Sequence, residues 1–139
     1  MRYFVAVASR EHVEKGVEGC FAQACHGKRW PMLKMTAGDR ILYYSPTEKF
    51  RSKAPCRKFT AAGTVREGQA YTFEMEPGFV PWRRDVDFEN DIAAVDLSLV
   101  VSQMHVFSGG NPGLILRRGF FEIDRKDFDT VYRYMKRGQ

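Results

Sequence analysis

The sequence has few of the features from which disulfide frameworks and membrane anchors are built. It contains three cysteines in 139 residues, and an odd count without framework spacing favours free thiols in a reducing compartment. No apolar run approaches the length needed to span a bilayer, and Tyr3–Ala8 is too short to be the core of a signal peptide. We therefore expect a cytoplasmic protein that has no membrane segment.

Recognised metal, cofactor and nucleophile patterns are also lacking. Cys20, Cys25 and His26 lie near one another in the sequence and Cys56 is distant. This spacing is not that of a zinc knuckle, and a second chelating pair is missing. Adjacent side chains in an extended chain point apart, which disfavours Cys25 and His26 as a nucleophilic pair. The glycine-rich segment 108–113 is not followed by the Gly-Lys-Ser/Thr of a phosphate loop. We expect no bound metal and no cofactor.

What the sequence does contain is positive charge and aromatic rings. The formal net charge is +5, and aromatic residues make up 14% of the chain. A basic balance favours an anionic partner, and surplus aromatics with basic charge are typical of proteins that bind nucleic acid. The densest basic run spans residues 49–58 and is either a solvated loop or a flexible arm that contacts a phosphate backbone. Its basic residues are Lys49, Arg51, Lys53, Arg57 and Lys58.

Two apolar runs predict the central strands of the fold. Residues 3–8 are continuously apolar, and residues 41–44 form a second β-prone run that ends before Pro46. We expect these strands to be neighbours. Because side chains alternate along a strand, Tyr43 and Tyr44 should point to opposite faces. Either one of them lines a pocket, or both pack against the two faces of a barrel strand.

The remaining segments predict a single α+β domain. A hairpin is expected between residues 59–65 and 71–75, and a short helix within residues 92–101. The final helix should begin after Asp124, because the residues beyond it carry an apolar stripe at helical spacing. Several short strands with few helices between them fit a small mixed barrel.

Polar turns follow both central strands, at Ser9 and at Ser45. If the strands end on the same side of the barrel, these two hydroxyls, the imidazole of His12 and one tyrosine converge. We expect a flat, uncharged heteroaromatic ligand to bind there. His12 has an alternative role as a capping or packing residue in the helix for which Ser9 is the N-cap.

The irregular segment from Cys20 to Trp30 should supply another wall of this pocket. Gly27 permits close backbone approach or a positive φ. Lys28 is available to phosphates, and the rings of Phe21 and Trp30 have the shape that stacks on a flat ligand.

Five segments of the chain carry a resemblance to a known family. They are YFVAVASREH (3–12), GCFAQACHGK (19–28), GDRILYYSP (38–46), FTAAGTV (59–65) and PWRRDV (81–86). In these blocks and their order the chain resembles the EVE domain family. The resemblance implies a PUA-like fold, a mixed β-barrel of five to six strands with flanking helices, related to YTH and ASCH domains. It also implies a non-catalytic module that holds a modified, flipped base of DNA or RNA in an aromatic-lined pocket. We expect this module to be a monomer.

Site residues are assigned from this resemblance and from the patterns above. The base-binding pocket is expected to comprise Ser9, His12, Phe21, Gln23, Ala24, Cys25, His26, Gly27, Lys28, Trp30, Tyr43, Tyr44, Ser45 and Pro46. Phosphate contacts are expected from Lys49, Arg51, Lys53, Arg57, Lys58, Arg83 and Arg84. An alternative is a small hydrolase on the same barrel that acts on a modified nucleoside or amide. It would use His26 or His12 with Asp39 or Lys28.

Overall fold

The structure is a computed structural model that describes residues 1–137. The strands are β1 (Tyr3–Val7), β2 (Phe21–Ala22), β3 (Arg40–Thr47), β4 (Pro55–Val65), β5 (Tyr71–Thr72), β6 (Trp82–Phe88), β7 (Val95–Asp96) and β8 (Phe120–Ile123). The helices are α1 (Arg10–Gly19), α2 (Arg29–Lys34), α3 (Leu97–Val100), α4 (Pro112–Leu116) and α5 (Arg125–Arg137). None of the helices in this part of the chain has the length and apolar character that crossing a membrane requires.

The strands form one mixed sheet that curls into a half-barrel, with the helices on its flanks. The strand order is β2-β6-β4-β3-β1-β8, while β5 pairs with β6 and β7 pairs with β4. This arrangement confirms the expected PUA-like α+β fold. The number of strands exceeds the expected five to six because β2, β5 and β7 contain two residues each. Such short strands carry no detectable hydrophobic periodicity.

The central strands β1 and β3 pair in parallel, as neighbours. Val7 lies opposite Tyr44, and the N–H of Ala8 donates to the carbonyl oxygen of Tyr44 at 3.1 Å. Their carboxyl ends therefore lie at the same edge of the sheet. Ser9 follows β1 at that edge and caps α1, because its hydroxyl accepts a hydrogen bond from the N–H of His12 at 3.4 Å.

The two faces of β3 bury different cores. Tyr44 packs in one hydrophobic cluster with Phe128 of α5. Tyr43 packs on the opposite face in a second cluster with Val13 of α1 and Met32 of α2. The alternation expected for the adjacent tyrosines is confirmed, and each face of the curled sheet is covered by its own helices.

The C-terminal helix is fixed to the sheet by its cap and its apolar stripe. The N–H of Asp127 donates to the Asp124 carboxylate at 2.8 Å, which confirms Asp124 as the cap of α5. The buried carboxylate of Asp127 accepts from the N–H groups of His105 and Val106 at 2.7 and 2.9 Å. These bonds join α5 to the turn that precedes α4.

One expectation about pairing is wrong. Residues 71–75 do not form a hairpin with β4, because β4 is already paired with β3 on one side and with β6 and β7 on the other. β5 pairs with β6 instead, at the register Tyr71 opposite Arg83. The short helix expected within residues 92–101 is present as α3, and it begins after Val95 and Asp96, which pair with β4.

Gly63 allows close approach between β4 and β6. A Cβ atom at this position would lie 2.6 Å from a methyl carbon of Val86 and 2.8 Å from the carbonyl oxygen of Asp87. We predict that Gly63→Ala lowers the free energy of unfolding by about 1–3 kcal/mol through overpacking, as measured by urea denaturation.

Gly109→Ala is the matched control for this substitution. Gly109 has open space around its Cβ position and requires no left-handed backbone. A shift of the urea midpoint as large as that of Gly63→Ala would contradict the explanation by close packing.

Candidate functional site

A cavity of about 1190 Å³ opens at the edge where β1 and β3 end. It is lined by residues from five parts of the chain: 7–16, 21–30, 43–57, 75–79 and 113–119. The last part reaches this edge because β8 is antiparallel to β1. The N–H of Val7 donates to the carbonyl oxygen of Gly119 at 2.9 Å, at the point where β8 begins.

Tyr43 uses its hydroxyl to fix one wall of the cavity. The hydroxyl donates to the carbonyl oxygen of Gln23 at 2.6 Å and accepts from the N–H of the same residue at 2.9 Å. Both backbone groups of Gln23 are satisfied by one buried side chain. Burial raises the pKa of Tyr43 to about 12, and the hydrogen bond with the backbone of Gln23 acts in the opposite direction.

Arg83 fixes the side chain of the same glutamine. Its guanidinium carbon lies 3.7 Å from the ring centre of Phe21 and 4.0 Å from that of Phe73. Its Nε–H donates to Oε1 of Gln23 at 2.6 Å. Burial lowers the pKa of Arg83, but the pKa of a guanidinium is so high that the group remains charged. The arginine therefore orients the amide of Gln23.

The segment between β2 and α2 forms a left-handed turn at the rim of the cavity. Cys25, His26 and Gly27 have φ values of 52°, 59° and 81°. For the two non-glycine residues this conformation costs about 1–3 kcal/mol each. Gly27 is required here because a Cβ atom would lie 2.4 Å from the Cβ of Pro81.

The Cys25 thiol lies in this turn and is partly buried. Its Sγ atom is 3.6 Å from the carbonyl oxygen of Arg118. Burial raises the pKa of Cys25, while the charge of Lys28 lowers it. The thiol is therefore protonated at neutral pH and is a poor nucleophile.

The sequence matches the EVE domain family model over residues 2–134. The chain belongs to the EVE domain family. It is 40% identical to the UPF0310 protein YdcG of Bacillus subtilis (strain 168), with 96% of this chain and 91% of the relative covered. It is 36% identical to a UPF0310 protein of Streptococcus mutans, with 98% of each chain covered.

Solved structures similar to this EVE domain support its fold. The NMR structure of Rpa0253 from Rhodopseudomonas palustris has a TM-score of 0.65 and 14% identity, with 100% of this chain and 96% of that chain covered. The crystal structure of the MmI1 YTH domain has a TM-score of 0.53 and 12% identity, with 96% and 92% covered. At such low identity the similarity shows the fold alone.

The cavity of the EVE domain contains nearly all the residues expected for the pocket. All except Ser45 line it. Ser45 is fully buried, and its Oγ lies 2.8 Å from Oγ1 of Thr60 on β4. A buried hydroxyl needs a partner, and this one finds it inside the sheet. The expectation that the two serine hydroxyls converge on a ligand is therefore wrong.

The expectation that one tyrosine offers a ring face to the ligand is also wrong. Tyr43 and Tyr44 line the cavity, but each is 3% exposed, too little for a base to stack on either ring. Tyr43 stacks on Phe88 at 6.1 Å, and Tyr44 packs edge-on against Phe59 at 5.3 Å. The alternative, in which both tyrosines pack on opposite faces of a strand, is the correct one.

Arg83 and Arg84 are not available to a phosphate, contrary to expectation. Each residue is 7% exposed. Arg83 is held between two rings, as described above. Arg84 donates to the carbonyl oxygens of Met35 and Arg66 at 2.9 and 3.2 Å. Both guanidinium groups are used inside the fold because β6 is covered on both faces.

The basic run is divided by the start of β4. Lys53 and Arg57 line the cavity. Lys49, Arg51 and Lys58 lie outside the lining. Lys58 pairs with Asp96 in the sheet, so the run is in part a strand rather than a flexible arm.

Several lining residues were not found from the sequence. Phe50 is 49% exposed and lies 5.8 Å from His12 and 5.9 Å from His26, measured between ring centres. Among the others are Lys15, Met75, Phe79, Arg117 and Arg118. Arg117 and Arg118 could not be placed without the sheet topology, because they reach the cavity only through the pairing of β8 with β1.

Of the catalytic residues expected for the alternative hydrolase, Asp39 alone lies away from the cavity. His12, His26 and Lys28 line the cavity, but Asp39 lies at the opposite end of β3. The Asp39 carboxylate accepts from the N–H groups of Arg2 and Thr36 at 2.9 and 2.8 Å. It is a structural acceptor in a turn.

The hydroxyl of Tyr43 provides a test of how the cavity wall is held. We predict that Tyr43→Phe lowers the free energy of unfolding by about 1–3 kcal/mol, because it removes the hydrogen-bond partner of the N–H and C=O of Gln23. Urea denaturation measures the loss.

Tyr44→Phe removes the same atom from the neighbouring residue and serves as the control. Within residues 1–137, no hydrogen bond of the Tyr44 hydroxyl is present. Its removal should change stability by less than about 0.5 kcal/mol. Equal losses in the two variants would contradict a special role for the Tyr43 hydroxyl.

Proposed function

We propose that this protein is a non-catalytic binding module that recognises a modified base in nucleic acid. The observation that carries the proposal is the combination of charge and apolar surface in the cavity. Its lining has six cationic side chains and one carboxylate, that of Glu76. The cationic residues are Lys15, Lys28, Lys53, Arg57, Arg117 and Arg118.

The chemistry of the lining fits a nucleotide better than a simple anion. Phe50, Phe79 and Trp30 supply exposed aromatic surface beside the cations. A base stacked on an aromatic side chain gains about 1–3 kcal/mol, and Lys or Arg contacts to phosphate add affinity that does not depend on sequence. The two kinds of group together match the two parts of a nucleotide.

The size of the cavity also fits a nucleotide within a strand. About 1190 Å³ slightly exceeds the roughly 300–1,000 Å³ of pockets that enclose drug-sized ligands. It leaves room for sugar and phosphate as well as the base. A base that leaves its stack costs a few kcal/mol, which the aromatic and phosphate contacts can return.

Preference for a modified base over an unmodified one requires that the cavity fit closely around the modifying group. A methyl group buried against apolar surface contributes only about 0.8 kcal/mol. Membership of the EVE domain family supports this part of the proposal, since the family resemblance implies recognition of modified bases. The ligand contacts that distinguish the bases are then hydrogen bonds to the base edge.

The proposal is tested with single-stranded and duplex oligonucleotides that differ in one central base, modified or unmodified. We expect saturable binding by one chain per modified base, with no product after long incubation. Phe50→Leu should weaken binding of the preferred probe by about 1–3 kcal/mol because it removes a stacking partner, whereas Phe50→Tyr should retain it. Fluorescence anisotropy measures the affinity.

Two outcomes would contradict this proposal. Turnover of any probe would indicate an enzyme. Equal affinity for all central bases in wild type and Phe50→Leu would indicate that no base enters the cavity.

The cations of the cavity should produce a salt-dependent affinity. We predict that Arg57→Gln and Arg117→Gln each reduce the slope of log affinity against log salt by about 1, as loss of one phosphate contact does. Binding titrations at several salt concentrations give the slope.

Lys126→Gln removes the same charge from an exposed position on α5, outside the lining of the cavity. Its slope should equal that of the wild type. A slope that is unchanged in both arginine variants would show that neither arginine contacts a phosphate of the bound nucleic acid.

A further inference from the structure

We infer that Gln23 reads the edge of the bound base as a fixed hydrogen-bond donor, and that Arg83 is the positioning residue that fixes its direction. This inference rests on the proposed function and specifies the chemistry that the cavity presents to a base. It assigns to the ligand an acceptor atom, a carbonyl oxygen or an unprotonated ring nitrogen, at the position that faces Gln23.

The backbone of Gln23 is held on both sides by one side chain. The Tyr43 hydroxyl is bonded to the N–H and to the carbonyl oxygen of Gln23 at 2.9 and 2.6 Å. Tyr43 itself is buried and stacked on Phe88. The neighbours Ala22 and Ala24 are also buried. The Cα of Gln23 therefore has a fixed place in the wall of the cavity.

The direction of the Gln23 amide follows from the chemistry of Arg83. A guanidinium has N–H donors and no acceptor, so the group that faces it must be the amide oxygen. The observed bond from Nε of Arg83 to Oε1 of Gln23, at 2.6 Å, agrees with this requirement. An amide flip would place two donors against each other. Phe21 and Phe73 pack against the guanidinium, with ring centres 3.7 and 4.0 Å from its carbon, and stabilise it in this orientation.

The amide nitrogen of Gln23 is then the end that remains for a ligand. In residues 1–137 no hydrogen bond of Nε2 is present, although the other three polar groups of Gln23 are bonded. The residue is partly exposed and lines the cavity. An NH₂ group only donates, so a ligand group that faces it must accept. An exocyclic amino group at this position would be left without a partner, which costs affinity.

The inference is tested by a double-mutant cycle between Gln23 and the base. The probes are oligonucleotides identical except for the central base: thymine, 2-thiothymine, 4-thiothymine, guanine and 6-thioguanine. Sulfur is a weak acceptor. The protein variant is Gln23→Glu, which has the same shape and keeps an oxygen for Arg83 but has no NH₂ group. Thermal denaturation checks that it folds.

In the wild type we expect at least one exchange of oxygen for sulfur to weaken binding by about 5-fold or more, the size of a typical hydrogen bond. In Gln23→Glu the same exchange should change affinity by less than about 2-fold, because the donor is gone. If the exchange of oxygen for sulfur weakens binding by the same factor in the wild type and in Gln23→Glu, the inference about Gln23 is overturned while the proposed function stands. Absence of binding by the wild type both of these probes and of the modified oligonucleotides that test the proposed function would overturn that function together with the inference.

Arg83→Gln tests the positioning role separately. An amide at this position can donate or accept, so it no longer dictates which end of Gln23 faces it. The cost of the thio exchange should fall toward that of Gln23→Glu, while the salt dependence stays that of the wild type. Affinities for oxo and thio probes that fall by the same factor would show that Arg83 has only a structural role.

Discussion

Parallel pairing of β1 with β3 brings the carboxyl ends of both strands to one edge of the sheet, and every wall of the cavity is built outward from that edge. A parallel pair needs a long crossover connection, and here the connection contains α1, β2 and α2. It covers one face of the sheet and carries residues 21–30 past the strand ends. The antiparallel partner of β1 enters at the same edge, which adds Arg117 and Arg118 to the lining beside Cys25.

The two tyrosines of β3 support the wall of the cavity and do not present their ring faces to it. Tyr43 and Tyr44 complete the two cores on either side of β3, and this burial leaves Tyr43 one polar atom with which to act. That hydroxyl satisfies two backbone groups in the irregular segment, where no neighbouring strand is present to do so. Exposed aromatic surface comes instead from the connecting segments, at Phe50, Trp30 and Phe79. The strands thus support exposed aromatic residues on the segments that connect them, as is usual for loops on a scaffold.

The sequence predicted those features that depend on local pattern. β1, β3 and α5 follow from hydrophobic periodicity. The residues assigned to the pocket from the family resemblance nearly all line the cavity. The failures concern partners that are distant in the chain. Arg83 and Arg84 have the composition of a phosphate site, but their burial depends on Phe21, Phe73 and the carbonyl oxygens of other segments. The pairing of β5 was equally out of reach, because β3, β6 and β7 take both edges of β4, and a local pattern does not reveal which strands pair.

The buried arginines still affect what the cavity binds, although they do not contact it as expected. Neither Arg83 nor Arg84 forms an ion pair with a carboxylate in the described part of the chain; their partners are carbonyl oxygens, an amide oxygen and aromatic faces. These neutral groups satisfy the hydrogen bonds and leave the net charge in place. A charge that is screened little by solvent acts over a longer distance than one on the surface. The charge of Arg83, whose Nε lies 2.6 Å from Oε1 of Gln23, therefore adds from within the fold to that of the cations that line the cavity. An electron-rich acceptor on a ligand edge is favoured at that wall, and a cationic or donor group is opposed by the same charges.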